Sequence, residues 1–145
     1  MRKIEYYDSV IPSGNSVMLK NLHLLYLINS NKKYLVLSEN LKEKIFNTAI
    51  SFPSSFSNLL IIILSIHKTT DEITVCNKKF EKDLQMLNKI YLPFCFIIPM
   101  SENNNKYSIT LGKIQKEKPE YYWCKNYSCK PPFTSLNNLI QNLSN

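Results

Sequence analysis

The chain has 145 residues, of which 44% are hydrophobic and 12% aromatic, a composition that suits one or two folded domains and excludes an intrinsically disordered protein. Its formal net charge of +7 comes from 18 basic and 11 acidic residues, and Arg2 is the only arginine. Because arginine leads phosphate and base recognition, this balance favours a solvated lysine surface and disfavours nucleic acid as a partner.

The N-terminus and the apolar runs predict a cytoplasmic protein. Arg2 and Lys3 lead into a polar segment, and not into the apolar stretch of a secretory signal. The longest apolar run, residues 59–64, is far shorter than the roughly 20 residues of a membrane span, so we expect no membrane as a partner. The four cysteines are therefore expected to be reduced thiols.

The chain contains two glycines, and one of them begins the first predicted helix. In a chain so poor in glycine, Gly14 indicates a backbone or ligand requirement. Ser13 precedes it as the expected N-cap of a helix that runs to about residue 29. Apolar side chains lie on nearly all sides of this helix, a pattern typical of an inner helix.

A second helix, over residues 33–51, is predicted to have one wet side and to be an outer helix. Pro53 ends it, and Ser54 or Ser55 is expected to cap a third, strongly apolar helix that runs to about residue 66. The order inner, outer, inner is typical of helical hairpins stacked in a ring or solenoid. The predicted apolar face of the second helix consists of Tyr34, Leu37, Leu41, Ile45 and Thr48.

The pattern changes at residues 67–71, where a small α/β part is predicted to begin. A strand, a helix and a second strand in succession, with a crossover of about a dozen residues, predict a right-handed parallel β–α–β unit. A third strand and a last helix complete the sheet layer. These elements are expected at residues 72–76, 80–91, 94–98, 121–124 and 135–143.

Three stretches of the chain occur in an order that is typical of one protein family. They are YDSVIPSGNSVM at residues 7–18, EITVC to YLPFCFII at 72–98, and WCKNYSCKPP at 123–132. Together they resemble the C-terminal end of the thioredoxin-domain proteins related to spermatogenesis-associated protein 20. Members of that family look like a thioredoxin-like domain followed by an (α/α)6 toroid of the six-hairpin glycosidase or sugar-epimerase type. The resemblance implies a mainly α fold with a small α/β part: the last helices of such a toroid, residues 1–67, followed by a small parallel βαβ sheet layer, residues 68–145.

The resemblance also implies what the chain does alone. No Cys-x-x-Cys pair is present, and the first five hairpins of the toroid have no counterpart. The chain is therefore expected to be a C-terminal fragment or a separately expressed subunit, without a complete active site, whose partner is the upstream thioredoxin and toroid part. A role in carbohydrate metabolism follows from the resemblance. The alternatives are a basic nucleic-acid-binding module and a small stand-alone carbohydrate-active enzyme in which Asp8 or His23 is essential.

The candidate ligand-binding residues are Asp8, Ser13, Asn15, Ser16 and His23. The first four lie before or within the first turn of an inner helix, and the resemblance implies that such an end opens onto the central funnel of a toroid. Short polar side chains and free helix N–H groups suit the recognition of hydroxyls or anions. The alternative is that Ser13 caps the helix while Asp8 and Asn15 fix the preceding turn. His23 is either an acid or base or a structural residue, and no catalytic residue is assigned.

The cysteines allow two interpretations. Cys124 and Cys129 are a redox pair or half of a metal site, or else an inert strand cysteine followed by a turn cysteine. No histidine nearby completes the four ligands of a structural zinc. Cys76 and Cys95 are expected to be small core side chains. No glycine-rich phosphate loop follows the first strand, so no dinucleotide or other cofactor is expected.

An aromatic cluster alternates with lysines near the end of the chain. It is either a platform on which bases stack, with lysines on the phosphates, or the core packing of a buried strand and its turn. The sequence favours core packing. The residues are Tyr121, Tyr122, Trp123 and Tyr127, with Lys118, Lys125 and Lys130.

Overall fold

The computed structural model describes residues 6–101, 103–115, 118–125 and 128–143. Within these residues the protein is mixed α/β, with five α-helices and a four-stranded sheet. The chain divides into two compact units: the helical unit, Met1–Lys68, and the sheet unit, Thr69–Asn145. This division lies one residue after the boundary expected between residues 67 and 68.

The helical unit begins with the N-cap that the sequence predicts. The hydroxyl of Ser13 accepts the N–H of Ser16, which confirms Ser13 as the cap of the first helix. That helix ends at Asn29 and is followed by its C-cap Ser30, whose φ of 53° is left-handed, and Asn31 then caps the second helix. The elements are α1 (Gly14–Asn29), α2 (Lys32–Ser51), a 3-10 turn (Pro53–Phe56) and α3 (Ser57–His67).

The start of α3 differs from the prediction. Ser54 and Ser55 lie inside the 3-10 turn, and α3 begins at Ser57 without a side-chain cap. Pro53 explains the difference, because its fixed φ suits the first position of a helical turn. The turn therefore starts at the proline itself, and the α-helix follows it.

The buried face of α2 also differs from the predicted one. Ile45 is buried as expected, but Ser38 and Ala49 are buried in place of Leu37 and Thr48, which are exposed. Small side chains allow two helices to approach closely, and α1 contacts both α2 and α3. The core of this unit consists of Leu19, Ile45, Ala49, Phe56, Leu59 and Ile62.

The sheet unit has the strand order β2-β1-β3-β4. Strands β1 and β2 are parallel and joined through α4, as predicted. The sheet as a whole is mixed, because β3, whose direction was not predicted, pairs with β1 in the antiparallel direction, and a fourth strand that was not predicted pairs with β3. A long connection allows β3 to run in either direction, whereas a helical crossover such as β1–α4–β2 is the usual connection of a parallel pair. The elements are β1 (Asp71–Cys76), α4 (Phe80–Leu87), β2 (Cys95–Pro99), a 3-10 turn (Ser108–Thr110), β3 (Glu120–Lys125), β4 (Ser128–Cys129) and α5 (Leu136–Leu143).

Helix α4 is shorter than predicted. It ends at Leu87, and the N–H groups of Lys89 and Ile90 bond to carbonyls only three residues back. Such tight turns close a helix end before the chain changes direction. The apolar stripe therefore continues through Ile90, which packs on the core without being part of the helix.

The two faces of the sheet differ in chemistry. The core face carries Ile73, Val75 and Tyr121, which pack with Leu87 of α4 and Leu139 of α5. Side chains alternate along each strand, so the neighbouring residues point to the opposite face. We call that face the polar face; it carries Glu72, Thr74 and Cys76 of β1 with Glu120, Tyr122 and Cys124 of β3.

The two glycines differ in backbone conformation, since Gly14 is helical and Gly112 is left-handed, and this difference gives a first prediction. Gly14 is helical and a Cβ there would meet no heavy atom within 4 Å, whereas Gly112 has a φ of +75°. We expect Gly14→Ala to stabilise the helical unit by about 0.4–1 kcal/mol through a less flexible unfolded chain. Gly112→Ala serves as its counterpart and is expected to destabilise the sheet unit by about 1–2 kcal/mol. Urea unfolding of both variants measures the difference, and a destabilising Gly14→Ala would contradict it.

Candidate functional site

Three of the predicted ligand residues meet at the start of α1. The Oδ1 atom of Asp8 accepts the N–H of Ser13 at 2.8 Å and the hydroxyl of Ser16 at 2.6 Å. Its Oδ2 atom accepts the N–H of Leu59 at 2.9 Å, and its own N–H donates to the carbonyl of Ser55. Both carboxylate oxygens are thus used in joining the N-terminal segment to α1 and α3.

The electrostatics of this junction favour a charged carboxylate. Burial raises the pKa of Asp8, but the hydrogen bonds from Ser16, Ser13 and Leu59 outweigh it and hold the pKa below its usual value. The Ser13 and Ser16 hydroxyls lie 3.0 Å apart and both residues are buried. Their polar groups bond to one another and to Asp8, so Ser13 has the capping role and Asp8 the turn-fixing role of the alternative interpretation.

Asn15 is the predicted ligand residue that lines a cavity. A groove of about 500 Å³ runs beside it, and its amide nitrogen is buried without a hydrogen-bond partner among the described residues. The walls are mainly aromatic and aliphatic, with the ring centres of Tyr7 and Phe56 5.2 Å apart. Cavities of this size with a few polar groups are typical of small-ligand sites. The lining residues are Tyr6, Tyr7, Asn15, Leu41, Lys44, Ile45, Thr48 and Phe56.

His23 does not join this group. It lies on α1 ten residues after Ser13, and a helix rises about 1.5 Å per residue, so the two are about 15 Å apart along the axis. Burial lowers the pKa of His23, which favours its neutral form. The structure thus separates His23 from the Asp8 junction, and the two do not form one acid–base site.

The polar face of the sheet holds a buried lysine that sequence analysis missed. The Nζ atom of Lys113 donates to Thr74 Oγ1 at 2.8 Å and to the carbonyl of Ile109 at 2.7 Å, and the residue is only 9% exposed. It also lies 5.7 Å from the ring centre of Tyr122. Burial lowers the pKa of Lys113, while the carboxylate of Glu72 opposes this shift. Among so many lysines no sequence signal distinguishes this one.

Cys124 and Cys129 form a disulfide in the structure, so the expectation of reduced thiols is wrong for this pair. The reason is the unpredicted strand β4, which makes Cys129 the direct cross-strand partner of Cys124, with their Cα atoms 3.9 Å apart. Cys76 is a buried thiol outside this disulfide, and its burial agrees with the expected small packed side chain, although it lies on the polar face of the sheet. Burial raises the pKa of Cys95, also outside the disulfide, to about 12. No group of three potential metal ligands occurs in the part of the chain that the structure describes.

The aromatic cluster is packed rather than open. The indole N–H of Trp123 donates to Asp71 at 3.1 Å, and the ammonium of Lys130 lies 3.6 Å from the centre of its ring. Tyr121 is buried in the core of the sheet unit. These contacts leave the Trp123 face covered by a lysine, which supports core packing over a base-stacking platform. Tyr127 lies outside the described residues.

The helical unit exposes many large apolar side chains. Met18 is 52% exposed and Ile61 59%. An apolar groove of about 730 Å³ also lies between α2 and α3, with Phe46, Ile63 and Leu64 among its walls. No helix within the described ranges is long and apolar enough to cross a membrane. Other exposed apolar residues of this unit are Val10, Ile11, Val17, Val36, Leu37, Ile50 and Phe52.

The Asp8 junction gives a second prediction. We expect Asp8→Asn to destabilise the helical unit by about 1.5–3 kcal/mol at pH 7, because an amide cannot accept at both oxygen positions. The folded-state pKa is lowered, so the stabilisation is complete above the unfolded-state pKa of about 3.9 and is lost as the pH falls through the folded-state value. Urea unfolding between pH 7 and 2.5 checks both statements.

The control for this measurement is Glu43→Gln, which neutralises an exposed carboxylate on α2 and is expected to change stability by less than about 0.5 kcal/mol. A difference between wild type and Asp8→Asn that persists unchanged at pH 2.5 would contradict the role of the charged carboxylate.

Comparison with known proteins assigns no function to these features, so their chemistry has to be interpreted from the structure. No protein-family model, curated protein or solved structure matches the chain. The features that bear on function are therefore the Asp8 junction with its adjoining groove, the exposed apolar surface of the helical unit, and the polar face of the sheet with its disulfide.

Proposed function

We propose that the chain is the C-terminal portion of a larger, cytoplasmic thioredoxin-domain and toroid protein, and that it contributes the last helices of the toroid without being active alone. The observation that supports this most is the exposed apolar surface of the helical unit. In this proposal the partner is the upstream part of the same protein, as a joined chain or as a separate subunit.

Much of the apolar surface of α1 is not covered within the chain. Helix α1 is apolar on nearly all sides but buries only Ser16, Leu19 and Leu22. Fully burying one large aliphatic side chain is worth about 1.5–3 kcal/mol, so a surface of this kind gains strongly from a covering partner. Contiguous exposed apolar patches in folded proteins mark interaction sites more often than free surface.

The groove between α2 and α3 suits a helical partner. Helix α1 already contacts both α2 and α3, and the groove provides a second apolar surface on α2 and α3 against which a helix can pack. Side chains such as Phe46 and Leu64 provide ridges against which a further helix packs. The expected neighbours are the toroid hairpins that the resemblance implies.

Any activity would belong to the assembled protein, and the resemblance points to carbohydrate metabolism. The groove beside Asn15 is compatible with this, because it combines the rings of Tyr6 and Tyr7 with the amide of Asn15 and the hydroxyl of Thr48. Such a combination suits a ligand with apolar faces and several hydroxyl groups. The reading frame upstream is expected to encode the thioredoxin-like domain and the first five hairpins.

The exposed surface gives a third prediction. The isolated chain is expected to bind a hydrophobic dye such as anilinonaphthalene sulfonate and to self-associate as its concentration rises. The double variant Ile50→Lys and Ile61→Lys is expected to bind clearly less dye, while stability changes by no more than about 0.5 kcal/mol per exposed site. Dye fluorescence and sedimentation measure the two effects.

The matched control is Ile114→Lys, which places the same charge on an exposed isoleucine of the sheet unit and should leave dye binding unchanged. A monomer that binds no dye at any concentration would overturn the proposal that this surface awaits a partner.

A further inference from the structure

The disulfide lies at the outer edge of the sheet, where its two cysteines differ in access. The strand order is β2-β1-β3-β4, so within the described residues no strand lies beyond β4. Cys129 on β4 is exposed, whereas Cys124 on β3 is 2% exposed. A thiol in solution therefore approaches this disulfide from the Cys129 side.

A carboxyl group lies on the other side of Cys124. Glu72 is the register partner of Cys124 in the β1–β3 ladder, and Cys129 is its partner in the β3–β4 ladder. Directly opposite residues point to the same face, so Glu72, Cys124 and Cys129 form a row across the polar face. Burial raises the pKa of Glu72, and the nearby ammonium of Lys113 opposes this rise. The carboxyl group therefore holds a proton more readily than an exposed glutamate does.

From this row we propose that Cys124–Cys129 is a thiol–disulfide exchange site for small thiols and dithiols, in which Glu72 passes a proton to and from the Cys124 sulfur. The thiolate of the incoming thiol attacks Cys129 Sγ and forms a mixed disulfide. The bond between the two protein sulfurs breaks, and Cys124 leaves with the electron pair and takes the proton of Glu72.

A second external thiolate completes the exchange. It attacks the external sulfur of the mixed disulfide, and Cys129 leaves as a thiolate and is protonated from solvent. Two external thiols are thereby oxidised to one disulfide, and the protein disulfide is reduced to two thiols. Each external thiol releases one proton when it forms its thiolate. One of these protons restores the Glu72 carboxyl group, and the other balances the proton that Cys129 takes from solvent. In the reverse direction the carboxylate of Glu72 accepts the proton of Cys124.

We expect the fold to tolerate both redox states. The two cysteines are only five positions apart, and closing so short a loop stabilises a protein by about 2 kcal/mol. The β1–β3 ladder and the bridge between Tyr121 and Phe133 also hold β3 in the sheet. Disulfides in cytoplasmic proteins are usually catalytic or redox-sensing, which agrees with the location proposed above, although the exchange site does not depend on it.

The first test locates the sulfur that is attacked. The oxidised full chain is treated with reduced glutathione under native conditions, and the adduct is mapped by peptide mass after acid quenching. We expect the adduct on Cys129 and none on Cys76, which is fully buried. Among single variants, Cys124→Ser, which leaves Cys129, should react with glutathione disulfide at least about tenfold faster than Cys129→Ser, which leaves the buried Cys124. An adduct on Cys124, equal rates, or reduction only in denaturant would overturn the exchange site.

The second test addresses Glu72. The variant Glu72→Gln is expected to slow reduction of the native disulfide by glutathione about tenfold at pH 7, because the leaving sulfur loses its proton donor. The control is Glu120→Gln, whose carboxyl group lies on the same face but opposite Cys76 and should leave the rate unchanged. Far-ultraviolet circular dichroism shows that each variant is folded. An unchanged rate in folded Glu72→Gln, or an equal slowing in both variants, would overturn the role of Glu72.

Discussion

One carboxylate connects three segments of the helical unit, and the position of α1 depends on it. Asp8 accepts hydrogen bonds from the cap and the first turn of α1 and from the third residue of α3. Because α1 contacts both α2 and α3, this junction helps to hold α1 against the core around Leu19 and Leu59. The polar residues that were candidates for ligand binding here, Asp8, Ser13 and Ser16, therefore stabilise the fold. The neighbouring groove beside Asn15 remains the candidate binding site.

In the sheet unit the central strand β1 has a comparable role. Its core-face residues Ile73 and Val75 pack under the helices, and its other face gathers the ionisable groups. Lys113 reaches this face from the connection before β3 and bonds to Thr74. The same alternation that buries the apolar side chains therefore brings Glu72 beside the cross-strand disulfide. A single strand organises both the core and the candidate chemistry.

The elements of the fold follow from local signals, whereas their pairing does not. The Ser13 cap and the β1–α4–β2 unit are predictable because they depend on neighbouring residues and on a short crossover. The direction of β3 and the existence of the two-residue strand β4 depend on contacts distant in sequence, which carry no local pattern. The burial of Lys113 is unpredictable for the same reason, since its partner Thr74 lies 39 positions away in the sequence.

The bond between Cys124 and Cys129 closes a small covalent ring that includes the residues connecting β3 and β4. A peptide bond cut inside that ring does not divide the chain into two molecules. Trypsin acting after Lys125 would thus leave a protein of unchanged mass, apart from one added water, until a reductant opens the ring. The hairpin therefore keeps the last helix, α5, attached to the sheet even when the backbone between the two strands is broken.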